Sequence, residues 1–174
     1  MTFAELAEAM GVPERQLPLL WKSLEQMEAT GEVVRTRTDR YGAPERMNLA
    51  VGRLQGHPKG FGFVVQDDPE AEDIFVGRES LGGAWHGDRV IVRLLPSTRP
   101  DGRREGEVIR ILSRANARVV GTFEASKHTG YVTPDERRLP EDIFIPKGMT
   151  NGARSGEKVV VQIVQWPDAR RIAE

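Results

Sequence analysis

The sequence predicts a mainly β protein with a small α+β N-terminal unit, followed by two tandem antiparallel β-barrels of which the second lacks its last strand. Three observations predict it. The chain repeats itself at a fixed offset; each repeat is a series of short Val-, Ile- and Phe-rich runs cut by Gly, Pro and Asp; and residues 1–50 lie outside the repeat, with apolar residues at helical spacing.

In the N-terminal unit, residues 1–50, Thr2 and Glu5 have the spacing of a capping box ahead of Leu6 and Met10. A second helix puts Leu17, Leu20, Trp21, Leu24 and Met27 on one face. Pro18 fits only in its first turn or as a kink, and Gly31 ends it. Glu32–Arg37 and Pro44–Ala50 then read as a hairpin around Asp39, Tyr41 and Gly42. Helix, helix and hairpin make a winged-helix pattern.

The repeat organises the rest. An offset of 69 residues carries Gly52 onto Gly121, Glu72-Asp73-Ile74-Phe75 onto Glu141-Asp142-Ile143-Phe144, and Gly83-Ala84 onto Gly152-Ala153, with no gap. It continues through Gly87-Asp88-Arg89-Val90-Ile91-Val92 onto Gly156-Glu157-Lys158-Val159-Val160-Val161, acid on acid and base on base. In the first unit, residues 51–114, five strands are expected near 50–56, 60–66, 73–76, 88–95 and 105–112, with 96–104 a polar loop. In the second, residues 115–174, the same offset starts the fifth strand at Glu174, the last residue. The second barrel is therefore expected to lack its closing strand, and the sequence to be part of a longer protein. A four-stranded variant, or a strand supplied from elsewhere, is the alternative.

Composition narrows the function classes. With 39% hydrophobic and 29% charged residues the chain reads as globular, and no apolar run approaches the roughly 18 residues of a spanning helix. An export signal is not evident and cysteine is absent, so a cytoplasmic location is expected and a membrane partner is not. A net charge of −1 means that any nucleic-acid binding must be local.

The most informative segment is His57-Pro58-Lys59-Gly60-Phe61-Gly62-Phe63-Val64, followed by Asp73-Ile74-Phe75-Val76. Alternate strand residues share a face, so Phe61 and Phe63 point the same way, Gly60 and Gly62 keep the other face small, and Phe75 can join from the next strand. Two readings follow. The phenylalanines are either barrel core or an exposed platform on which bases stack, with Lys59 and His57 flanking it.

The Lys-Gly-Phe-Gly-Phe-Val and Asp-Ile-Phe-Val segments resemble the two ribonucleoprotein motifs of cold-shock domains, OB-fold barrels that bind single-stranded nucleic acid. The resemblance implies that Phe61, Phe63 and Phe75 stack on bases and that Lys59 lies near the backbone. A winged helix running directly into Gly52-Arg53-Leu54-Gln55-Gly56-His57, then a second unit with Gly130-Tyr131-Val132, Pro134-Asp135 and Asp142-Ile143-Phe144-Ile145-Pro146, is similar in order to the ribonuclease R type of the ribonuclease II exoribonuclease family. That family's catalytic domain, with magnesium-binding aspartates, lies beyond the second cold-shock domain and has no counterpart in this sequence. A helix that usually precedes the segment matching Thr2–Met10 is also missing.

The second unit reads Lys127-His128-Thr129-Gly130-Tyr131-Val132 where the first has its aromatic motif, keeping Tyr131 and Phe144 but losing the paired phenylalanines. Phosphate contacts are expected to matter more there, with Lys127, Arg137, Arg138 and Lys147 as candidates; a merely solvated face is the alternative. Arg99, Arg103 and Arg104 stand in the same position. No catalytic residue and no metal ligand is assigned. The acid pairs recur at strand entries, His57, His86 and His128 are scattered, and Ser80, Ser97 and Ser113 lack a nucleophile setting. In the N-terminal unit Arg15 and Lys22 are outnumbered by Glu14, Glu25 and Glu28, which disfavours DNA reading by its second helix, while Arg35 and Arg37 can share a face of the wing.

The expectation is an RNA-binding region that feeds single-stranded or unwound RNA to the catalytic domain of a hydrolytic 3′–5′ exoribonuclease, with structured RNA a further candidate partner. Magnesium is implied only for that domain. The alternative is a freestanding cold-shock-like RNA chaperone or translational regulator.

Overall fold

The computed structural model describes residues 1–96, 102–139, 141–167 and 173–174. Helix α1 (Phe3–Ala9) starts at the expected capping box: Thr2 Oγ1 accepts from the Glu5 N–H at 3.3 Å and the Glu5 carboxylate accepts from the Thr2 N–H at 2.9 Å. Helix α2 (Leu17–Thr30) carries Pro18 in its first turn, where no N–H is needed, and stops at Gly31 in the left-handed conformation. A short hairpin follows, β1 (Val34–Arg35) with β2 (Tyr41–Gly42).

The expected hairpin strand over Pro44–Ala50 is not there. Pro44–Met47 forms a turn of 3-10 helix and Leu49–Ala50 already belong to the first barrel strand. Pro44 has no N–H to give a ladder, and Asn48 takes a left-handed φ of 57° that turns the chain into the barrel. The pairing therefore falls one step earlier, on Tyr41 and Gly42.

The first barrel is closed, in the order β3 (Leu49–Gly56), β4 (Gly62–Gln66), β5 (Ile74–Val76), β7 (Glu105–Ser113), β6 (Arg89–Leu95). Alternation sends Leu54, Val64, Ile74, Val76, Val90, Val92 and Val108 inward. Gly52 is required where β3 crosses β4, since a Cβ there would lie 2.2 Å from the Val65 carbonyl oxygen. The N-terminal unit docks on this barrel: Arg110 pairs with Glu28 at 2.9 Å, Arg89 Nε donates to the Thr30 carbonyl at 3.0 Å, and Val34, Leu49 and Ile91 form a shared apolar cluster.

The second unit is a four-stranded sheet, in the order β10 (Ile143–Ile145), β9 (Thr129–Pro134), β8 (Arg118–Ser126), β11 (Lys158–Gln162), and among the described residues it does not close. The offset of 69 reappears as hydrogen bonds. Leu54 accepts from the Gly87 N–H and donates to Asp88 at 2.7 and 2.9 Å, as Phe123 does with Gly156 and Glu157 at 2.8 and 2.9 Å. The closing position is repeated too: the Phe75 N–H donates to Arg104 at 2.9 Å, and the Phe144 N–H donates to Ala173 at 2.8 Å. Glu174 exchanges hydrogen bonds with Gln165 and accepts from Val164, backbone pairing at the position where the repeat puts the start of a fifth strand.

The register is not gapless, however. Phe63 stands opposite Phe75, but Tyr131, not Val132, stands opposite Phe144. Strand β9 is thus shifted by one residue, because the β8–β9 turn is tighter than the β3–β4 loop; Lys127 in that turn adopts a positive φ of 32°.

Candidate nucleic-acid interface

Strands β4 and β5 carry the aromatic motif on the face opposite the core. Gly62 and Val64 face inward beside Ile74 and Val76, while Phe61, Phe63 and Phe75 are half-buried on the outer side. Their ring centroids form a triangle: 5.8 Å between Phe61 and Phe63, 5.6 Å between Phe61 and Phe75, and 5.7 Å between Phe63 and Phe75. Such spacings suit edge and tilted packing, which holds the rings in place while leaving part of each π-face outward.

His57 does more than flank this cluster. Its ring lies parallel to Phe61 at 4.3 Å and 9°, extending the aromatic surface by one ring. The loop fixes it there: the His57 N–H donates to the Phe61 carbonyl at 2.7 Å, and Nδ1 accepts from the Lys59 N–H at 3.1 Å. The exposed Lys59 side chain projects from the same turn, whose carbonyl is held by Arg78 Nη2 at 2.9 Å. At the other edge, the Arg103 guanidinium sits 5.6 Å from the Phe63 centroid. Phe63, Glu72, Asp73, Gly102 and Arg103 line an open cleft of about 420 Å³. Neither the His57 stack nor the Arg103 contact has a signature in spacing, because each depends on how a loop folds back. Arg99 and Ser97 lie outside the described residues.

The second unit repeats the arrangement in reduced form. Tyr131, 41% exposed, meets Phe144 at 5.5 Å and 59°, and Lys127 is exposed at the end of the hairpin. Arg138 is engaged by Glu136, through Nε at 2.8 Å and Nη2 at 2.7 Å, which with the Arg138 N–H pulls the Glu136 carboxyl down to about 2. In the N-terminal unit Arg35 is likewise committed: it pairs with Asp39 at 2.7 Å and lies over the Trp21 and Tyr41 rings at 5.5 and 5.8 Å. The wing thus loses Arg35 from the face it was expected to share with Arg37.

Between the barrels is a joint that sequence reasoning missed. Trp85, from the first unit, is 1% exposed and packs with Val119, Phe123, Val132 and Ile143 of the second. Beside it, the fully buried Asp88 accepts from the Trp85 and Ala115 N–H groups and from Arg114, each at 2.9–3.0 Å, while Arg114 lies 4.2 Å over the Trp166 ring. Among the described residues no group of three or more His, Cys, Asp or Glu is placed to hold a metal ion, and no helix is long and apolar enough to cross a membrane.

A helical N-terminal unit leading into a closed OB-type barrel and a second, unclosed sheet of the same repeat, with an aromatic cluster on the outer face of the first, has the architecture of OB-fold proteins. Comparison with known proteins makes the class specific. The family model described as the Ribonuclease B OB domain matches residues 52–111, and the model described as the Cold shock domain matches residues 131–174. Ribonuclease R of Acidithiobacillus ferrooxidans is 34% identical over 178 residues, covering 100% of this chain and 40% of the relative. Ribonuclease R of Escherichia coli K12 is 37% identical over 157 residues, covering 90% of this chain and 19% of the relative. The chain thus carries a ribonuclease B-type OB domain and a cold shock domain in the order it shares with ribonuclease R, and spans less than half the length of these relatives.

Among solved structures, yeast Ssd1, described as a pseudonuclease, superposes with a TM-score of 0.60 at 19% identity, over 74% of this chain and 22% of that one. Mycoplasma genitalium RNase R, solved in its apo form and in complex with ribose-methylated single-stranded RNA, gives 0.54 at 23% identity, over 71% of this chain and 20% of its own.

Proposed function

We propose that this chain is the RNA-binding N-terminal region of a cytoplasmic ribonuclease R-type 3′–5′ exoribonuclease, and that it grips single-stranded RNA and passes it toward a catalytic domain outside residues 1–174. The observation that carries the reading is the Phe61, Phe63 and Phe75 triangle on the solvent side of a closed barrel. Bases stack on such surfaces whatever their identity, which suits an enzyme that must pass every sequence. His57 and Lys59 extend the platform. Tyr131, Phe144 and Lys127 form a weaker second station, because two rings replace three. On this reading residues 1–50, 51–114 and 115–174 are three units in series, DNA is not the specific target, and magnesium belongs to the catalytic domain.

That relatives matching 90% and 100% of this chain are named ribonuclease R supports the reading. The chaperone-like alternative, binding without degradation, draws on the occurrence of the same fold in a protein described as a pseudonuclease. The platform itself is tested by replacing Phe61 and Phe63 with alanine and titrating a labelled single-stranded RNA. The expected loss is roughly 1–3 kcal/mol per stacked base, with the melting temperature maintained. Lys59→Ala should weaken binding evenly across sequences and flatten its salt dependence. Unchanged affinity of a folded F61A/F63A variant would overturn the proposal.

A further inference from the structure

The two units share an acid–base pair and then diverge. Asp67 binds Arg89 at 2.9 Å, and at the equivalent positions Asp135 binds Lys158. The residues that follow are Asp68-Pro69-Glu70 in the first unit but Glu136-Arg137-Arg138 in the second. The loops also face different neighbours. Asp67 and Asp68 share a cleft with Gly31, Glu32 and Glu45 of the N-terminal unit, whereas Arg138 lies on the first barrel, lining a narrow cleft with His57, Phe61 and His86.

Both barrels fix the position of Arg138. Leu139, next in sequence, is buried in the core of the second unit. On the other side, the Arg138 carbonyl approaches so closely that a Cβ on Gly56 would stand 2.8 Å from it, so only glycine at the end of β3 lets the loop dock there. The Arg138 side chain, 47% exposed, lines the cleft that His57 and Phe61 also line, with both its Nε and Nη2 donors on the Glu136 carboxylate.

We propose that the Arg138 guanidinium is a site for a backbone phosphate of the single-stranded RNA on the platform, occupied in the free protein by Glu136, which the phosphate displaces. The inference rests on the platform reading above. A carboxylate and a phosphate present two oxygens to the same guanidinium fork, so one can replace the other without moving the arginine. The strand would then cross from the first barrel to the second at His57, linking the strong aromatic station to the weak one. Glu136 sets a threshold: an anion must compete for the fork, which penalises ligands that do not also stack.

The experiment is a single-stranded RNA titration of the 174-residue chain at several salt concentrations, with E136Q, R138A, the double variant and F61A/F63A in parallel, and melting temperatures for all. E136Q should bind about threefold to fivefold more tightly and R138A weaker by a similar factor, the scale of an exposed ion pair. R138A should also lower the salt slope by about 0.7, one phosphate's share for a single strand. In the double variant the tightening should vanish. Equal tightening by E136Q with and without Arg138 would make the effect one of general charge and overturn the proposal, as would a folded R138A with unchanged affinity and slope. If F61A/F63A loses binding while the Arg138 variants do not, this site fails and the platform stands; if F61A/F63A binds normally, the platform itself fails.

Discussion

The two barrels are built from one repeat, and they differ most where each meets its neighbours. The same turn occurs in both: the Trp85 N–H donates to Asp88 at 2.9 Å, and the Arg154 N–H donates to Glu157 at 2.9 Å. In the first barrel this turn is buried at the joint and its acid takes on Ala115 and Arg114; in the second it is exposed. The platform shows the same asymmetry, with three phenylalanines and a stacked histidine in one unit and a Tyr131–Phe144 pair in the other. A duplicated fold can thus keep its backbone hydrogen bonds while the side chains in equivalent places diverge, one copy carrying both the aromatic cluster and the buried docking turn.

The comparison breaks hardest at Trp85. Because its indole fills the core of the second unit from a loop of the first, Trp85→Ala should cost about 3–5 kcal/mol and uncouple the two units. Calorimetry should resolve separate transitions in the variant where the parent melts as one. A single, scarcely shifted transition would show that the units do not support each other through this residue. Next in size is the repeated acid. Asp88→Ala takes the carboxylate from Arg114 and leaves two N–H groups without their acceptor in a buried joint, and should cost about 3 kcal/mol. Glu157→Ala, on an exposed turn, should cost less than about 1 kcal/mol. Equal losses in urea unfolding would mean that burial at the joint is not what separates the copies.

Much of this was legible from residues alone, and the reason is periodicity. Strands β3 to β7 fall within two residues of their expected places because apolar residues alternate between Gly, Pro and Asp breaks. Phe61, Phe63 and Phe75 share a face for the same reason. What could not be read depends on relations between elements. Nothing in spacing says that Trp85 belongs to the neighbouring core, that His57 folds back on Phe61, or that Arg138 reaches Gly56. The one-residue shift of β9 was hidden because Gly, Val and Pro fill that region in both copies, so an ungapped match looked sufficient. The hairpin strand expected over Pro44–Ala50 does not form because the proline has no N–H to give a ladder.

The smallest effect concerns His86, at the boundary where the second unit's loop lies on the first barrel. Its Nδ1 accepts from the Gly56 N–H at 3.2 Å within the first barrel, beside the place where the Arg138 carbonyl docks, and its carbonyl accepts from Asn116 Nδ2 at 2.5 Å, so the ring must be neutral at Nδ1 next to the boundary. Burial, and then the nearby Arg138 charge, push its pKa below the ordinary value of 6.5, against weaker opposition from Glu136 and Asp88. The folded state therefore binds this proton less readily than the unfolded chain. Stability from the neutral ring is complete above about pH 6.5 and is lost progressively as the pH falls below it toward the lowered folded pKa. Melting measured from pH 7.5 to 5.5, above the range where carboxylates titrate, should show the parent losing stability and His86→Asn, which keeps an acceptor but cannot charge, losing less. The first barrel's equivalent loop meets the N-terminal unit through Arg89 and Asp67, whose pairing Arg89 favours by holding the Asp67 carboxyl below its usual range, so that contact should stay flat over the same window. If His86→Asn follows the parent's slope, the sensitivity lies elsewhere and the boundary between the barrels is not where protonation acts.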